Sequence, residues 1–390
     1  MYKLQPGDVV RFYEITRLLD EGQGGMSAVY EARMRPHRQV SNIPPRVALK
    51  IALPNYEDRL RSEADFMGRF SHTNVVRVFG IPGVENPAFV GRAKLKDRSE
   101  VAYMAMEFLT GGSLTDQVEQ RGRLGLREAT LVARDLALAL QHIHSRRVIN
   151  LDIKPDNVLF RGNGRRWLGM YPEAVLCDFG IARDVDYPYF GEHAATLVFA
   201  APEQIQYGQV DPTRLTFATD IFQWGILVYL MVTGDLPFGG DGGALLDPSY
   251  PAPPVSSRRR VPKELDQMLQ RALQKDPHRR YQTADELLRD MKQLRVPPVR
   301  QAVFFSAVGA GLLATALAAG KGVAPTDPHP VPTFTMRPPL TAPPTVPSAE
   351  VTSGAVVAPA SAVITASATP TPTVQPSTTP ARPPTSTPSS

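Results

Sequence analysis

The residues that decide the fold lie between Val148 and Gly180, which read VINLDIKPDNVLF over 148–160 and VLCDFG over 175–180. Asp152 is followed within five residues by Lys154 and Asn157, and Asp178 comes after a second apolar run. Phosphoryl transfer needs a carboxylate that accepts a hydroxyl proton, a cation beside the migrating group and oxygen ligands for magnesium. The pattern D-x-K-P-x-N followed by D-F-G supplies all three kinds of side chain.

This stretch resembles the catalytic loop and metal-binding turn of the eukaryotic-type protein kinase family, in its bacterial serine/threonine branch. A lysine two residues after the aspartate is typical of that branch and is usually missing from tyrosine kinases. The resemblance covers residues 12–296 and implies an α+β, bilobal fold with a small β-rich N-lobe and a large helical C-lobe. It assigns Asp152 as the base, Lys154 as the cation, and Asn157 and Asp178 as ligands of Mg²⁺, with Mn²⁺ as an alternative metal.

A glycine-rich turn, LDEGQGGMSAVY, stands earlier in the chain at residues 19–30. The runs at 13–19 and 28–33 predict two strands of a hairpin around it. Glycines let backbone amides close over ATP phosphates without side-chain clashes, and Ser27 replaces the third glycine of the family. The resemblance implies that ATP is contacted here and on the next strand by Gly22, Gly24, Gly25, Val29 and Ala48.

Lys50 ends the run V-A-L-K, which follows a long, proline-rich connection and resembles the strand whose lysine binds the α- and β-phosphates. A solvated lysine at the end of a strand is the alternative interpretation. Residues 58–70 carry apolar side chains at helical spacing. The resemblance makes Glu63 on this helix the partner of Lys50, with Glu57 and Asp58 as less well spaced alternatives.

The run YMAMEFL at residues 103–109 resembles the strand and hinge against which adenine lies. By this resemblance Met106 is the gatekeeper, and the backbones of Glu107 and Leu109 bind adenine. Two strands are predicted at 75–79 and 102–108, with a long polar loop between them. Ser113 is a predicted N-cap for the helix that follows.

The catalytic loop departs from the family pattern because the usual H-R-D is Asn150-Leu151-Asp152. The family's histidine hydrogen-bonds backbone near the metal-binding turn, and Asn150 has donors and acceptors for part of that role. The family's arginine binds the phosphate of a modified activation loop, and Leu151 has no such ability.

The activation segment agrees with this departure. Between Asp178 and Glu203 the only serine or threonine is Thr196, which occupies a position that is structural in the family. Tyr187 and Tyr189 remain available for modification. We therefore predict activity that does not require serine or threonine phosphorylation of the activation loop.

The C-terminal part of the resemblance predicts contacts that hold the larger lobe together. Glu203 needs a buried cation, because an unpaired carboxylate in a core is costly, and the family pattern supplies Arg280. Asp220 is expected to hold the backbone of the catalytic loop. Helices are predicted at 126–144, 221–233 and 283–294, the second apolar nearly all round. His72, His142 and His144 are interpreted as structural residues rather than ligands.

Cys177 and the run Arg258–Arg260 are interpreted as structural rather than functional features. Cys177 is the only cysteine, so no intrachain disulfide forms; it is interpreted as a small core residue, with a pocket-lining reactive thiol as the alternative. The run Arg258–Arg260 is interpreted as a solvated loop rather than a docking or nucleic-acid patch, because no aromatic residues interleave it. A net charge of +5 over 390 residues is modest. No nucleic-acid partner is predicted.

The kinase-like region is predicted to cover residues 1–296. The rest of the chain divides into three predicted segments. A linker at 297–301 precedes an uncharged run of 19 residues at 302–320, long enough to span a bilayer as a helix. A buried or surface hairpin is the alternative. Residues 321–390 are rich in Pro, Thr and Ser and predict a disordered, extracytoplasmic tail. Small residues in the span would allow a homodimer. Positive charge favours a cytoplasmic kinase side and is carried before the run by Arg289, Lys292, Arg295 and Arg300, against Lys321 after it.

These features together predict a single-pass membrane kinase that transfers the γ-phosphoryl group of ATP to protein Ser/Thr hydroxyls. The alternative is a pseudokinase that binds ATP as a signalling scaffold, in which Asn150 and Leu151 mark lost catalysis. A structural wall anchor would explain the tail but not the site. All the residues assigned to phosphate binding, metal binding and proton transfer are retained, which favours the enzyme.

Overall fold

A computed structural model describes residues 4–21, 27–36, 43–82, 88–97, 99–162, 172–184, 198–205, 215–239 and 242–295. The predictions for Thr196, Tyr187, Tyr189, the glycines of the turn (Gly22, Gly24 and Gly25) and everything from residue 296 onward fall outside these ranges. In the described part of the chain, no helix combines the length and apolar character needed to cross a membrane.

The N-lobe is built on one antiparallel sheet with the order β1-β2-β3-β4-β7-β5, in which β6 also pairs with β7. β4 reads RVALKIA and is buried along nearly its whole length, as a central strand covered on both faces must be. The strands are β1 (Val9–Val10), β2 (Tyr13–Asp20), β3 (Ser27–Met34), β4 (Arg46–Ala52), β5 (Val78–Phe79), β6 (Val90–Lys94) and β7 (Glu100–Glu107).

The predicted hairpin is confirmed as β2 and β3, but the predicted polar loop before β7 is corrected. Part of that segment forms β6, which pairs with β7 from Val90 opposite Met104 to Lys94 opposite Glu100. Only residues 78–79 of the predicted strand at 75–79 are extended in the sheet. A polar edge strand has little apolar periodicity, so its pairing is decided by the neighbouring strand. A Cβ at Gly91 would lie 2.6 Å from the Tyr103 ring, which explains the glycine in this strand.

One helix of the N-lobe, α1 (Glu57–Gly68), packs beside this sheet and buries Leu60, Glu63, Ala64 and Met67. Glu63 therefore lies on the apolar face of the helix, where a carboxylate needs a partner. The helix covers nearly the predicted range of 58–70.

The C-lobe is mostly helical, and two small two-stranded sheets flank the catalytic loop. Its helices are α2 (Leu114–Arg121), α3 (Leu126–His144), α4 (Pro202–Ile205), α5 (Phe217–Thr233), α6 (Gly242–Leu246), α7 (Lys263–Ala272) and α8 (Ala284–Met291). Its strands are β8 (Val148–Ile149), β9 (Val158–Arg161), β10 (Glu173–Leu176) and β11 (Arg183–Asp184); β9 pairs with β10, and β8 with β11.

Local capping explains where the C-lobe helices begin. The predicted Ser113 cap is confirmed, since its hydroxyl accepts the Asp116 N–H while the Asp116 carboxylate accepts the Ser113 N–H. Thr216 caps α5 with its hydroxyl, so this helix begins four residues before the predicted start at 221. Thr283 caps α8 in the same way. α5 is buried on nearly every face, as predicted.

Candidate active site

The lysine of β4 and the glutamate of α1 form a buried ion pair. Lys50 Nζ lies 2.6 Å and 2.8 Å from the two carboxylate oxygens of Glu63. The pairing predicted from the sequence is therefore present. The alternative partner Glu57 is bound elsewhere, since its carboxylate pairs with Arg61 and Arg92 on the protein surface. Lys50 is not a solvated strand end, because only 8% of its surface is exposed.

Asp178 approaches the same lysine from the C-lobe, with its Oδ1 3.4 Å from Lys50 Nζ. Its backbone is left-handed, with φ +59°, and the same Oδ1 accepts the N–H of Gly180 at 2.9 Å. Burial raises the pKa of Asp178, but the positive charge of Lys50 and the Gly180 hydrogen bond outweigh it and hold the pKa below its usual range. Burial lowers the pKa of Lys50, yet the charges of Asp178 and Glu63 raise it overall.

Asp152, Lys154 and Asn157 meet at the catalytic loop. Lys154 Nζ is 3.0 Å from Asp152 Oδ2, and Asn157 Nδ2 donates to the same oxygen at 2.9 Å and to the Asp152 carbonyl at 2.8 Å. A 3₁₀ turn, Pro155–Asn157, brings the asparagine back to the aspartate. Burial raises the pKa of the Asp152 carboxyl against the opposing charge of Lys154, which makes its carboxylate a better proton acceptor.

The two predicted metal ligands are adjacent through their backbones. The N–H of Cys177, which precedes Asp178, donates to the Asn157 carbonyl at 2.8 Å. Because the Asn157 amide nitrogen faces Asp152, its oxygen Oδ1 would be the ligand atom. Among the described residues no group of three or more His, Cys, Asp or Glu side chains is placed to hold a metal. One amide and one carboxylate oxygen suit Mg²⁺, which takes few protein ligands and completes its shell with phosphate oxygens and water.

Asp220 at the start of α5 fixes the catalytic loop, as predicted. Its fully buried carboxylate accepts the N–H of Asn150 at 2.9 Å and that of Leu151 at 2.8 Å. His144 Nε2 lies 2.8 Å from the same carboxylate. The sequence had indicated only that His144 is structural, and this contact gives its role.

Asn150 occupies the predicted scaffold position. Its amide nitrogen donates to the Asp178 carbonyl at 3.1 Å, and its amide oxygen accepts the N–H of Asp152 at 3.1 Å. One side chain thus joins Asp152, the predicted base, to the predicted metal-binding turn. The contact expected of the family's histidine, to backbone near that turn, is made here by an asparagine.

Two glutamines at this site were not identified from the sequence. Gln204 in α4 and Gln223 in α5 both donate to the Leu151 carbonyl, at 3.0 Å and 2.8 Å. The only available signal was a polar residue within the apolar α5, at a position one turn after Asp220. Nothing local predicted the contact of Gln204.

The predicted hinge begins at the end of β7, the strand that pairs with β4. Met106 is opposite Ala48, and Val29 on β3 is opposite Lys50. The Glu107 N–H donates to the Arg77 carbonyl at 2.8 Å, so this backbone group is already paired within the N-lobe. Residues 107–109 then connect the sheet to the C-lobe.

The predicted partner of Glu203 is confirmed. Arg280 donates two hydrogen bonds to the two carboxylate oxygens of Glu203, at 2.7 Å and 2.8 Å, and both side chains are buried. The Thr219 hydroxyl adds a third bond to the carboxylate, at 2.9 Å. This cluster fixes α4, directly after the activation segment, to the interior of the C-lobe.

The structure agrees with the interpretation of Cys177 but corrects part of the interpretation of the arginine run. Cys177 is partly buried and packs against the C-lobe core, and burial and the neighbouring Asp178 charge raise the pKa of its thiol and keep it neutral, which disfavours the reactive-thiol alternative. The solvated-loop interpretation holds for the exposed Arg258 and Arg260 but is wrong for Arg259, whose guanidinium donates to the Leu124 and Val232 carbonyls at 2.8 Å and 2.9 Å. Helix termini leave carbonyls such as Val232 without partners, and an arginine with five donors can satisfy two at once.

A family model agrees with this geometry: residues 13–291 match the model described as protein kinase domain. The chain belongs to the protein kinase family. ATP and Mg²⁺ are the usual cofactors of this family.

The chain resembles bacterial serine/threonine kinases along most of its length. It is 30% identical over 331 residues to serine/threonine-protein kinase PknB of Mycobacterium tuberculosis, covering 82% of this chain and 48% of PknB. It is 28% identical over 290 residues to a probable serine/threonine-protein kinase of Clostridium perfringens, covering 73% of this chain and 38% of that protein. PknA of M. tuberculosis is 27% identical over 278 residues, covering 70% and 58%. The chain spans about half the length of these curated relatives.

Proposed function

We propose that this chain is a serine/threonine protein kinase that transfers the γ-phosphoryl group of ATP to protein hydroxyls. The proposal rests on one observation. The residues predicted to bind phosphate and metal and to accept the proton are joined by hydrogen bonds and ion pairs into one network. Glu63 holds Lys50, Lys50 reaches Asp178, and the Asp178 carbonyl is bonded through Asn150 to Asp152. A scaffold that only binds nucleotide needs the phosphate-binding lysine, but it does not need a half-buried carboxylate with a raised pKa at the position of Asp152.

Each side chain has a defined part in this proposal. Lys50, oriented by Glu63, holds the α- and β-phosphates of ATP. Asp152 orients the substrate hydroxyl and accepts its proton as the bond from that oxygen to γ-phosphorus forms, and Lys154 stabilises the charge on the transferred group. Asn157 and Asp178 would hold Mg²⁺, which neutralises phosphate charge when it is bound. The bond to the β-phosphate oxygen breaks, and ADP leaves.

Serine and threonine are the proposed acceptors for two reasons. Lys154 stands two residues after the base and contacts it at 3.0 Å, which is the arrangement of the serine/threonine branch. The similar bacterial proteins are themselves named as serine/threonine-protein kinases.

The proposed kinase acts without serine or threonine phosphorylation of its activation loop. Leu151 replaces the arginine that would bind the phosphate, and its side chain is buried in a small apolar cluster with Ile149, Ile181 and Leu215. A cluster of this kind has no donor for a phosphate group. Phosphatase treatment of the purified chain is expected to leave the transfer rate within about twofold.

We also propose that the kinase domain lies on the cytoplasmic side of a membrane, anchored by the run at 302–320. The uncharged length of that run and the positive charges before it support the proposal. The full chain should stay in the membrane pellet after alkaline carbonate washing, whereas deletion of 302–320 should release it. A deletion of 324–390 is the control and should stay in the pellet; release of the full chain would contradict the anchor.

The catalytic proposal is tested by phosphate transfer from labelled ATP with Mg²⁺ to the chain itself and to a generic basic protein. Asp152→Asn and Lys50→Met should each lower transfer by at least about 100-fold, and EDTA should abolish it. Asp65→Asn and Lys94→Met make the same chemical changes at exposed positions and should keep full activity. Binding of ATP without transfer by the unaltered chain would favour the pseudokinase.

A further inference from the structure

Two amide side chains converge on a single carbonyl beside the proposed base. The Leu151 oxygen accepts from Gln204 Nε2 at 3.0 Å and from Gln223 Nε2 at 2.8 Å, which uses both of its lone pairs. The two glutamines also bond to each other, since Gln223 Nε2 donates to Gln204 Oε1 at 3.0 Å. The second acceptor site of Gln204 Oε1 takes the Ala201 N–H at 2.8 Å. We call Gln204 and Gln223 the amide clamp.

The backbone that the amide clamp holds is in an uncommon conformation. Leu151 has φ +67°, a left-handed geometry that a residue with a branched side chain adopts only when its surroundings impose it. Asp220 accepts the Leu151 N–H, and the amide clamp binds the Leu151 oxygen. Gln223 Oε1 also accepts the N–H of Ile153 at 3.1 Å. The peptide groups on both sides of Asp152 are therefore fixed by side chains of α4 and α5.

The amide clamp also joins the end of the activation segment to the base. Gln204 directly follows Glu203, whose buried pair with Arg280 anchors α4 in the C-lobe. The family pattern makes a connection from this segment to the catalytic loop through an arginine and a phosphate. Here Leu151 offers its backbone oxygen instead, and neutral amides bind it without any added charge.

We infer that Gln204 and Gln223 are positioning residues, which orient Asp152 and couple it to the end of the activation segment independently of phosphorylation. The inference rests on the proposed kinase activity. Because a misplacement of about 1 Å can cost on the order of 100-fold in rate, loosening the loop should lower kcat rather than nucleotide binding. The residues proposed to contact adenine and the α- and β-phosphates, Met106 on β7 and Lys50 on β4, belong to the N-lobe sheet, whereas the amide clamp lies on α4 and α5 of the C-lobe.

The test uses the full chain and measures kcat and KM for ATP together with thermal stability. Gln204→Leu removes the donor and acceptor, and Gln204→Glu keeps the size and the acceptor contacts but cannot donate to the Leu151 oxygen. Both should lower kcat about 10- to 100-fold while KM for ATP stays within about twofold. Gln120→Leu makes the same change at an exposed position of α2 and should match the unaltered chain.

Coupling between the two glutamines gives a second readout. Gln223→Met removes the other half of the amide clamp, and the double variant should lose much less activity than the product of the two single losses, because both act on one carbonyl. Phosphatase treatment should change no variant's kcat relative to its untreated sample. Gln223 is buried, so the variant Gln223→Met can fail to fold. In that case the single variants of Gln204 still test the inference.

Three results would overturn the inference. The first is that Gln204→Leu and Gln204→Glu have the same kcat as Gln120→Leu. The second is that their kcat returns to that of the unaltered chain at a lower temperature, where the folded fractions are equal. A fall in kcat of the unaltered chain after phosphatase treatment would show that phosphate, not the amide clamp, completes the connection. Absence of transfer by the unaltered chain would instead refute the proposed function itself.

Discussion

At the scale of single residues, the Asn150 side chain links two parts of the site through its hydrogen bonds. It is fully buried and joins the Asp178 carbonyl to the Asp152 N–H. Asn150→Ala would leave both groups without their side-chain partner, so kcat should fall at least about tenfold and the free energy of unfolding should fall by about 1–3 kcal/mol. Asn150→His restores the family's residue and should retain more activity than the alanine variant. Steady-state kinetics and urea denaturation check both; equal loss in the two variants would contradict this role.

His142 is a residue whose charge state links stability to pH. Its Nε2 accepts the Ser71 N–H at 3.2 Å, and its ring stacks on His72 with centroids 4.8 Å apart. Burial, the charge of Arg146 and the neighbouring His72 lower the pKa of His142 from 6.5 to about 4. A neutral imidazole is required for the Ser71 contact, because a doubly protonated ring has no acceptor.

The sign of the pH effect follows from this lowered pKa. Between the unfolded value of 6.5 and the folded value of about 4, the unfolded chain binds the proton and the folded chain does not, so stability falls as pH decreases through this window. His142→Gln should lose less stability than the unaltered chain between about pH 7 and about pH 5. The exposed His278→Gln is the control. Urea midpoints at both pH values give the comparison, and identical pH dependence of His142→Gln and the unaltered chain would be evidence against it.

At the scale of elements, the Glu203–Arg280 pair shows how helices far apart in sequence become one unit. Arg280 also donates to the Ala218 carbonyl in the first turn of α5 and to the carbonyls of Gln274 and Lys275. It therefore connects α4, α5 and the segment before α8. Arg280→Ala would leave the Glu203 carboxylate buried and uncompensated, which should cost about 3–5 kcal/mol of unfolding free energy.

The matched control is the preceding residue, Arg279. Arg279 is 76% exposed in its side chain and lies 3.6 Å from Asp276, so Arg279→Ala should change stability by less than about 0.5 kcal/mol. Combining Arg280→Met with Glu203→Gln should cost less than Arg280→Ala alone, since no buried charge remains. Chemical denaturation distinguishes these variants; a loss for Arg280→Ala no larger than that for Arg279→Ala would show that the pair is not required.

At the scale of the whole molecule, Arg161 ties the C-lobe to the hinge. Its guanidinium donates to both carboxylate oxygens of Glu107, at 2.7 Å and 3.0 Å, and also reaches Glu173 and the Thr73 carbonyl. Arg161→Met should raise KM for ATP about three- to tenfold with little change in kcat, because the hinge backbone that would bind adenine loses its anchor. Arg127→Met removes an exposed arginine of α3 as control. Unchanged KM, or a loss confined to kcat, would contradict the hinge role.

Much of the fold and the site was predictable because their signals are local. Asp152, Lys154 and Asn157 lie within six residues of one another, and the predicted cap at Ser113 acts on the turn that directly follows it. The pairing partners Glu63 and Arg280 came from the family pattern and are present in the structure. The strand β6 was missed because an edge strand of polar residues takes its conformation from the strand beside it.

The sequence alone determined which side chains can do phosphoryl-transfer chemistry, since this depends on residue type and short spacing, and its resemblance to the kinase family implied the fold that carries them. Only the tertiary structure decided that Gln204 and Gln223 share the Leu151 oxygen, that His144 binds Asp220, and that Arg161 anchors the hinge. These partners are separated by 53 to 76 residues. A hydrogen bond requires atoms within about 3 Å, and over such separations only the packing of whole helices and strands sets that distance.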